Sequence, residues 1–206
     1  MPSSIITGAA LFLLAHAFLA DAGYNACEYS ELTKCNNVFM SSFKLPVLQQ
    51  TVGGVYCHGF QVYANCLSAS LCFGKFLDLS RFMILQHMIM DKTLNVCPLH
   101  NLWSLKNTVQ ANKKYRKKID QIIAVDADDY ADCAAKIHRD CTSQMAKDLA
   151  SNDKMCFGVE NFLQCYENHK NSCKAKIYKH FLNTVKKVAK TLVKMFKERK
   201  GVMPNC

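Results

Sequence analysis

The sequence lacks the motifs by which many enzymes are recognised. Gly-x-Ser-x-Gly, His-Glu-x-x-His and a glycine-rich phosphate loop are all absent from its 206 residues. The histidines beyond residue 22 form no His–His pair at a spacing of four, and no His-Asp dyad stands beside adjacent cysteines. We therefore predict a non-enzymatic protein without catalytic residues and without a cofactor.

Metal-binding and glycosylation motifs are missing as well. No two cysteines have the Cys-x-x-Cys spacing, which argues against a zinc or redox site. The one acidic cluster, Asp126 to Asp132, lacks the turn-forming glycine and the bidentate glutamate of a calcium loop, so we expect it to begin a helix. We predict no metal site and, since Asn-x-Ser/Thr is absent, no ordinary N-glycosylation.

No apolar run reaches the roughly 20 residues that span a bilayer. The longest, Ile5 to Leu19, ends in the small-x-small triplet Ala20-Asp21-Ala22. This pattern predicts a signal peptide over residues 1–22 and a secreted, extracellular protein. A retained membrane anchor is the less favoured alternative because the stretch is short.

What the sequence has in abundance is cysteine, in two sets of six. The first set is Cys27-x7-Cys35, Cys57-x8-Cys66-x5-Cys72 and Cys97; the second is Cys133-x7-Cys141, Cys156-x8-Cys165-x7-Cys173 and Cys206. The x7 and x8 spacings recur in the same order, which predicts one duplicated module. In an oxidising compartment an even number of cysteines implies six disulfides.

Other residues repeat with the cysteines. Cys57-x-Gly59-x3-Tyr63-x2-Cys66 corresponds to Cys156-x-Gly158-x3-Phe162-x2-Cys165, and Phe39 and Phe43 correspond to Met145 and Leu149. We predict a six-cysteine module over residues 23–100, a basic connector over 101–122 and a second module over 123–206. Domains of this size bury a modest core, so crosslinks would supply part of their stability.

Apolar spacing predicts an all-α fold of two tandem, disulfide-stapled three-helix modules. The first helices cover residues 26–49 and 132–150, and the first turns lie at Thr51-Val52-Gly53-Gly54 and Ser151-Asn152-Asp153. The second helices hold the x8 cysteine pairs, and third helices follow Gly74 and about Ser172. Strands are not expected, because polar and apolar residues do not alternate and Asn-Gly and Asp-Gly turns are absent.

Helix geometry restricts the disulfides. Cysteines eight residues apart on one helix are roughly 12 Å apart, beyond the ~7 Å that bonded Cα atoms allow, so the bonds must join different helices. If the first two helices form an antiparallel hairpin, cysteines at similar distances before and after the turn lie opposite each other. Among the fifteen pairings open to each module we favour Cys27 with Cys72, Cys35 with Cys66, Cys57 with Cys97, Cys133 with Cys173, Cys141 with Cys165, and Cys156 with Cys206.

Positive charge is concentrated in the second half. Twenty of the 26 basic residues but eleven of the 16 acidic ones lie from residue 111 onward. Residues 113–118 and the amphipathic segment 174–200 carry most of the excess. We predict a basic contact face made of Lys113, Lys114, Arg116, Lys117, Lys118, Lys176, Lys179, Lys186, Lys187, Lys190, Lys194 and Lys197.

These basic and apolar segments also allow purely structural interpretations. The C-terminal segment can be a bundle helix whose lysines point into water, or it can lie on an anionic membrane surface. The connector can be a solvated helix face or a dibasic processing site. The segment from Phe73 to Leu94 is apolar nearly all round, so we expect both modules to pack around it, with a ligand pocket or a homodimer contact as alternatives.

The cysteine signature, with Cys-x7-Cys ahead of Cys-x8-Cys-x5–7-Cys, resembles that of secreted helical cysteine-rich repeat proteins of invertebrates. Such domains occur among nematode, mollusc and insect haemolymph proteins. The resemblance covers both modules and implies a secreted, helical, disulfide-stapled fold. It implies no functional residue.

These features favour a protein that binds an extracellular partner, namely a receptor, a channel or an acidic glycan. One alternative is a venom or defence toxin that acts on channels or membranes through its cationic amphipathic helix. Another is a carrier of a small hydrophobic ligand between helices rich in Phe and Met. Nucleic acid is not expected as a partner, because a secreted chain without a recognised motif is a poor candidate for it.

Overall fold

A computed structural model describes residues 26–44, 51–123, 132–198 and Cys206. Within these ranges the chain is helical and has no strand, which confirms the all-α prediction. The predicted signal peptide, residues 1–22, lies outside the described residues. The helices are α1 (Ala26–Ser42), α2 (Val52–Ala69), α3 (Lys75–Thr93), α4 (Trp103–Ala111), α5 (Lys113–Ile123), α6 (Asp132–Ser151), α7 (Met155–Asn168), α8 (Lys176–His180) and α9 (Lys186–Glu198), with a π-helical turn (Phe181–Val185) between the last two.

The described helices include none that is long and apolar enough to cross a membrane.

All twelve cysteines are bonded, in the same six pairs that helix geometry favours. Their Cα atoms lie 5.1–5.8 Å apart. Every bond joins cysteines of the same six-cysteine set. The covalent framework therefore closes each half of the chain separately, and contact between the halves depends on non-covalent packing.

In each half the first two helices pack as an antiparallel hairpin, and a glycine sits where they approach most closely. A Cβ atom on Gly59 would lie 2.8 Å from the ring of Phe43, and one on Gly158 would lie 2.5 Å from Leu149 Cδ2. Phe43 and Leu149 are the equivalent residues of the sequence repeat. The shared Cys-x-Gly pattern is thus explained by helix packing, because only a residue without a side chain fits there.

The first turn is misplaced in the sequence prediction. Thr51 caps α2, since its side chain accepts a hydrogen bond from the Gly54 N–H at 3.2 Å. The helix therefore starts at Val52, and both glycines lie within its first turn. The described part of α1 ends at Ser42, followed by a turn over residues 43–44. In the second half, α6 ends at Ser151 and the turn follows it, close to the prediction.

Helix α3 is the centre of the fold. It packs against α1 and α2 of the first half, against α4 and α5 of the connector, and against the π-helical turn and α9 of the second half. Both halves thus pack around this helix, as its apolar sequence predicts, and their buried side chains form one continuous core. The domain boundaries themselves stay a prediction.

The start of α3 is held by a carboxylate from another helix. Glu28 on α1 is 1% exposed, and its Oε1 accepts hydrogen bonds from the backbone N–H groups of Phe76 and Leu77 at 2.6 and 2.7 Å. These N–H groups belong to the first helical turn, where the helix itself provides no acceptor, and the negative charge also suits the helix dipole. Gly74 leaves the necessary room, because a Cβ atom there would lie 2.3 Å from the Glu28 carboxyl carbon.

Arg81, also on α3, is buried at 1% exposure. Its guanidinium donates to the carbonyl oxygens of Leu67, Ser70 and Cys72 at 2.9, 2.7 and 3.0 Å, and it pairs with Asp78 at 3.2 Å. The three carbonyls belong to the end of α2 and the loop after it, where no helical N–H group is in position to donate to them. One buried cation therefore satisfies the backbone of the α2–α3 connection.

The predicted connector is folded rather than extended. It forms α4 and α5, which pack against each other and against α3. Their apolar residues Leu105, Val109, Tyr115 and Ile119 are all buried, at 4% exposure or less. The connector is thus part of the core, with its polar side toward solvent.

The glycine contact can be tested with a matched pair of substitutions. We expect Gly59→Ala to destabilise the protein by about 1–3 kcal/mol, because the added methyl group overpacks the Phe43 ring. Gly53→Ala, on the same helix, meets only Thr51 Oγ1 at 4.0 Å and is expected to be neutral or to stabilise by up to about 1 kcal/mol. Urea unfolding with intact disulfides measures both. Equal stabilities of the two variants would contradict the close-packing interpretation.

Candidate functional site

The basic residues of the connector lie side by side on α5. Lys113, Lys114, Arg116, Lys117 and Lys118 are all exposed. At 100° per residue they occupy an arc of about 200° around the helix, opposite its buried residues. We call these five residues the α5 basic face.

This face is anchored to the core. The Tyr115 ring stacks on Phe82 of α3, with centroids 4.7 Å apart, and Ile119 is fully buried. Asn112, which precedes α5, donates a hydrogen bond to Asp78 on α3 at 2.9 Å. The helix therefore presents its cations from a fixed position.

None of the five cations lies within 4.0 Å of an acidic oxygen of the described residues. Arg116 donates to the Gln110 carbonyl at 3.0 Å, and the Lys114 ammonium lies 5.3 Å from the Tyr115 ring centroid. Neither contact neutralises charge. Among the side chains that the structure describes, the α5 basic face therefore has no ion-pair partner.

The lysines of α8 and α9 differ in this respect. Lys186 pairs with Glu167, and Lys197 pairs with Glu160 at 2.7 Å. Lys194 lies 3.9 Å from Glu198. The other predicted contact residues here are exposed: Lys176, Lys179, Lys187 and Lys190. The structure thus places the twelve predicted residues in two groups, one on α5 and one on α8 and α9.

The apolar side of α9 packs into the protein. Ala189, Leu192, Val193, Met195 and Phe196 are buried at 2–7% exposure, and the helix contacts α7 and α3. This is the bundle-helix interpretation of the amphipathic pattern. The face that would enter a membrane is the one that covers the core.

A small apolar cavity lies between the two halves. Its volume is about 60 Å³, and its lining includes Phe60, Met83, His87, Phe162, Leu192 and Phe196. Sites for drug-sized ligands are usually about 300–1,000 Å³. The cavity is therefore too small for such a ligand.

A cluster of buried polar side chains lies where the halves meet, and we call it the polar cluster. Its six members are 0–5% exposed and come from both halves of the chain. They are Tyr56 on α2, His87 and Asp91 on α3, His100 in the loop after α3, His138 on α6 and Tyr166 on α7.

The Asp91 carboxylate is the centre of the polar cluster. Its Oδ1 accepts from His138 Nε2 at 2.5 Å and from the Tyr56 hydroxyl at 3.2 Å, and its Oδ2 accepts from His100 Nε2 at 3.2 Å. His87 Nε2 lies 3.8 Å from Oδ1. Since an ionised carboxylate only accepts hydrogen bonds, the rings of His138 and His100 carry their protons on Nε2.

A second layer of hydrogen bonds holds these rings. The Tyr166 hydroxyl bonds to His138 Nδ1, and the Tyr56 hydroxyl bonds to His87 Nε2. Tyr178 then donates to the Tyr166 carbonyl at 2.8 Å. The network therefore continues from α3 into α6, α7 and α8, where no disulfide joins the two halves.

The buried surroundings shift the pKa values of the polar cluster. Burial alone raises the pKa of Asp91, but His87 and the hydrogen bonds from His100 and His138 outweigh it, so the pKa lies well below the usual range of a carboxyl group. Burial lowers the pKa of His87 to about 4, against the attraction of Asp91. Burial and the Asp91 charge raise the pKa of Tyr56 well above 10. Asp91 is therefore ionised and His87 uncharged at neutral pH.

Sequence analysis missed this site. His87 and Asp91 are four residues apart on one helix, a spacing that puts both on one face, but the search for His–His pairs passed over a His–Asp pair. His138 is 47 residues further along the chain. Only the spacing of His87 and Asp91 could have been found without the tertiary structure.

No family model, curated protein or solved structure matches the chain. Fold and crosslinks define a small, disulfide-rich, all-helical protein, a class typical of oxidising compartments. The resemblance to invertebrate helical cysteine-rich proteins stays a prediction.

The outer layer of the polar cluster is testable. Tyr166→Phe removes the hydroxyl that holds His138 Nδ1 and leaves a buried ring nitrogen without its partner. We expect a loss of about 1–3 kcal/mol in the free energy of unfolding, whereas Tyr29→Phe, at an exposed tyrosine, should change it by less than about 0.5 kcal/mol. Chemical denaturation checks this, and wild-type stability of Tyr166→Phe would contradict the hydrogen-bond assignment.

Proposed function

We propose that this protein is a secreted, non-enzymatic scaffold that binds an acidic extracellular glycan through the α5 basic face. The observation that carries the proposal is the set of five adjacent, exposed cations on a helix anchored by Tyr115 and Ile119, none of which is ion-paired with a described side chain. A net charge of +10 adds a long-range attraction for polyanions.

Electrostatics within α5 supports this function. Lys113 and Lys117, and likewise Lys114 and Lys118, are four residues apart, so their like charges repel along the helix. Helices usually relieve such repulsion with acidic residues at the same spacing. The α5 segment offers a single acidic residue, Asp120, against five cations, and a bound polyanion would supply further counter-charge.

The buried position of the polar cluster supports a non-enzymatic role. His87, Asp91 and His138 are at most 3% exposed. A general acid or base must come within hydrogen-bond reach of its substrate. These three side chains instead contact one another and buried tyrosines inside the core. The buried apolar side of α9 and the 60 Å³ cavity make the membrane-active and carrier functions the less favoured alternatives.

The test is a salt-dependent heparin-binding measurement on the mature, disulfide-bonded protein. In the key variant Lys113, Lys114, Lys117 and Lys118 are replaced by Gln, which has a similar helix propensity. At about 1 kcal/mol per lysine near an anionic surface, we expect affinity at low ionic strength to fall by at least about 10-fold. The variant should be no less stable than wild type, because like-charge repulsion is removed.

A matched control replaces by Gln four exposed lysines that are not among the twelve predicted contact residues: Lys136, Lys147, Lys154 and Lys174. Both variants then have the same net charge. The proposal requires that the α5 variant lose much more affinity than the control. Equal losses would mean that net charge alone attracts the polyanion, and an unchanged α5 variant would exclude this face. Retention by an immobilised acidic protein but not by heparin would favour a protein partner.

A further inference from the structure

We propose that His87, Asp91 and His138 form a structural binding site for a divalent transition-metal ion, Zn²⁺ in the first instance, which joins the two halves of the chain. This inference is independent of the proposed glycan binding. It rests on three ligand atoms that converge within 4.8 Å of one another at the junction of the halves: His87 Nε2, Asp91 Oδ1 and His138 Nε2.

The donor set suits zinc. Two imidazole nitrogens and a carboxylate oxygen are ordinary zinc ligands, at about 2.0–2.2 Å from the metal. Tetrahedral ligands at that distance are about 3.3 Å apart. Asp91 Oδ1 lies 3.8 Å from His87 Nε2 and 2.5 Å from His138 Nε2. Coordination also requires an unprotonated Nε2 on His138, so its ring proton moves to Nδ1, which then donates to the Tyr166 hydroxyl. With that tautomer, movements of less than about 1 Å along these two distances would convert the hydrogen-bonded arrangement into a coordinated one.

The surroundings of the three ligands match those of a metal site. Ligating histidines usually bond through their second ring nitrogen, and ligating carboxylates are themselves hydrogen-bonded. His138 Nδ1 is held by Tyr166, and Asp91 Oδ2 by His100. The Tyr56 hydroxyl contacts both His87 Nε2 and Asp91 Oδ1, so it lies directly beside two of the three ligand atoms.

The negative charge of Asp91 also favours a bound cation. Asp91 is fully buried, and among the described residues no Lys or Arg lies within 4.0 Å of it. Hydrogen bonds from Tyr56, His100 and His138 hold the charge of Asp91, and a divalent ion would supply a net positive charge beside it. A second group of converging ligand atoms, at Asp91, Cys97 and His100, does not qualify, because Cys97 is bonded to Cys57.

The site would add a crosslink that the disulfides do not provide. His87 and Asp91 belong to the first half and His138 to the second, whereas all six disulfides remain within one half. Because the ligands are buried, the metal would enter as the halves assemble and leave slowly. Folding and metal binding would then be coupled.

The experiment compares two samples of the mature protein. One is refolded under oxidising conditions in the presence of a chelator, and the other is refolded in the same way with one equivalent of Zn²⁺ or Co²⁺. We expect one tightly held ion per chain by mass spectrometry of the metal, a visible Co²⁺ spectrum typical of four-coordination, and a thermal midpoint raised by about 5 °C or more. Chelator added to the folded protein should remove the ion slowly. Less than about 0.1 ion per chain, or removal within the mixing time, would overturn the proposal and leave a purely proton-linked network.

Two variants locate the ion. His138→Gln should abolish stoichiometric binding, while His58→Gln, at an exposed histidine, should retain it. The opposite result would assign the metal to the surface and overturn the proposal. If circular dichroism shows that His138→Gln does not fold, the Co²⁺ spectrum and chelator kinetics of the wild-type protein decide: six-coordinate, rapidly removed Co²⁺ contradicts a buried His–Asp–His site.

Discussion

The burial of most of helix α3 is the constraint on which the rest of the structure depends. A helix so largely surrounded by protein must satisfy most of its polar groups, and those of its neighbours, without water. Three side chains do so along its length: Glu28 caps its start, Arg81 bonds the end of α2, and Asp91 receives ring N–H groups near its end. Each of these contacts brings another element to α3, so the polar network also defines how the fold is assembled.

Covalent and non-covalent forces have separate roles in this protein. Disulfides close each half, and a matching glycine in each hairpin allows close approach of the first two helices. The contact between halves depends instead on the apolar packing of α2 with α6 and of α3 with α9, and on the polar cluster. The same central helix also positions α5 through the Phe82–Tyr115 stack. Surface charge and core architecture are therefore linked through α3.

Local patterns predicted much of this architecture. Apolar spacing located most helices. The rise per residue of a helix excluded bonds within one helix, and an antiparallel hairpin of the first two helices then favoured the six disulfides. The turn before α2 was misplaced, because Thr51 was read as part of a turn when it caps a helix. The amphipathic pattern of residues 174–200 indicated a bundle helix or a membrane-binding one, and the buried side of α9 favours the first.

The sequence by itself determined the all-helical class, the restriction of the disulfides to cysteines of different helices, and the location of the charge, because periodicity and spacing act within a helix or between helices joined by a short turn. Only the tertiary structure decided which faces meet. His138 lies opposite Asp91 because α6 packs on α2, and Lys186 and Lys197 are paired because α9 packs on α7. Such long-range contacts depend on the joint packing of several helices, which no local pattern records.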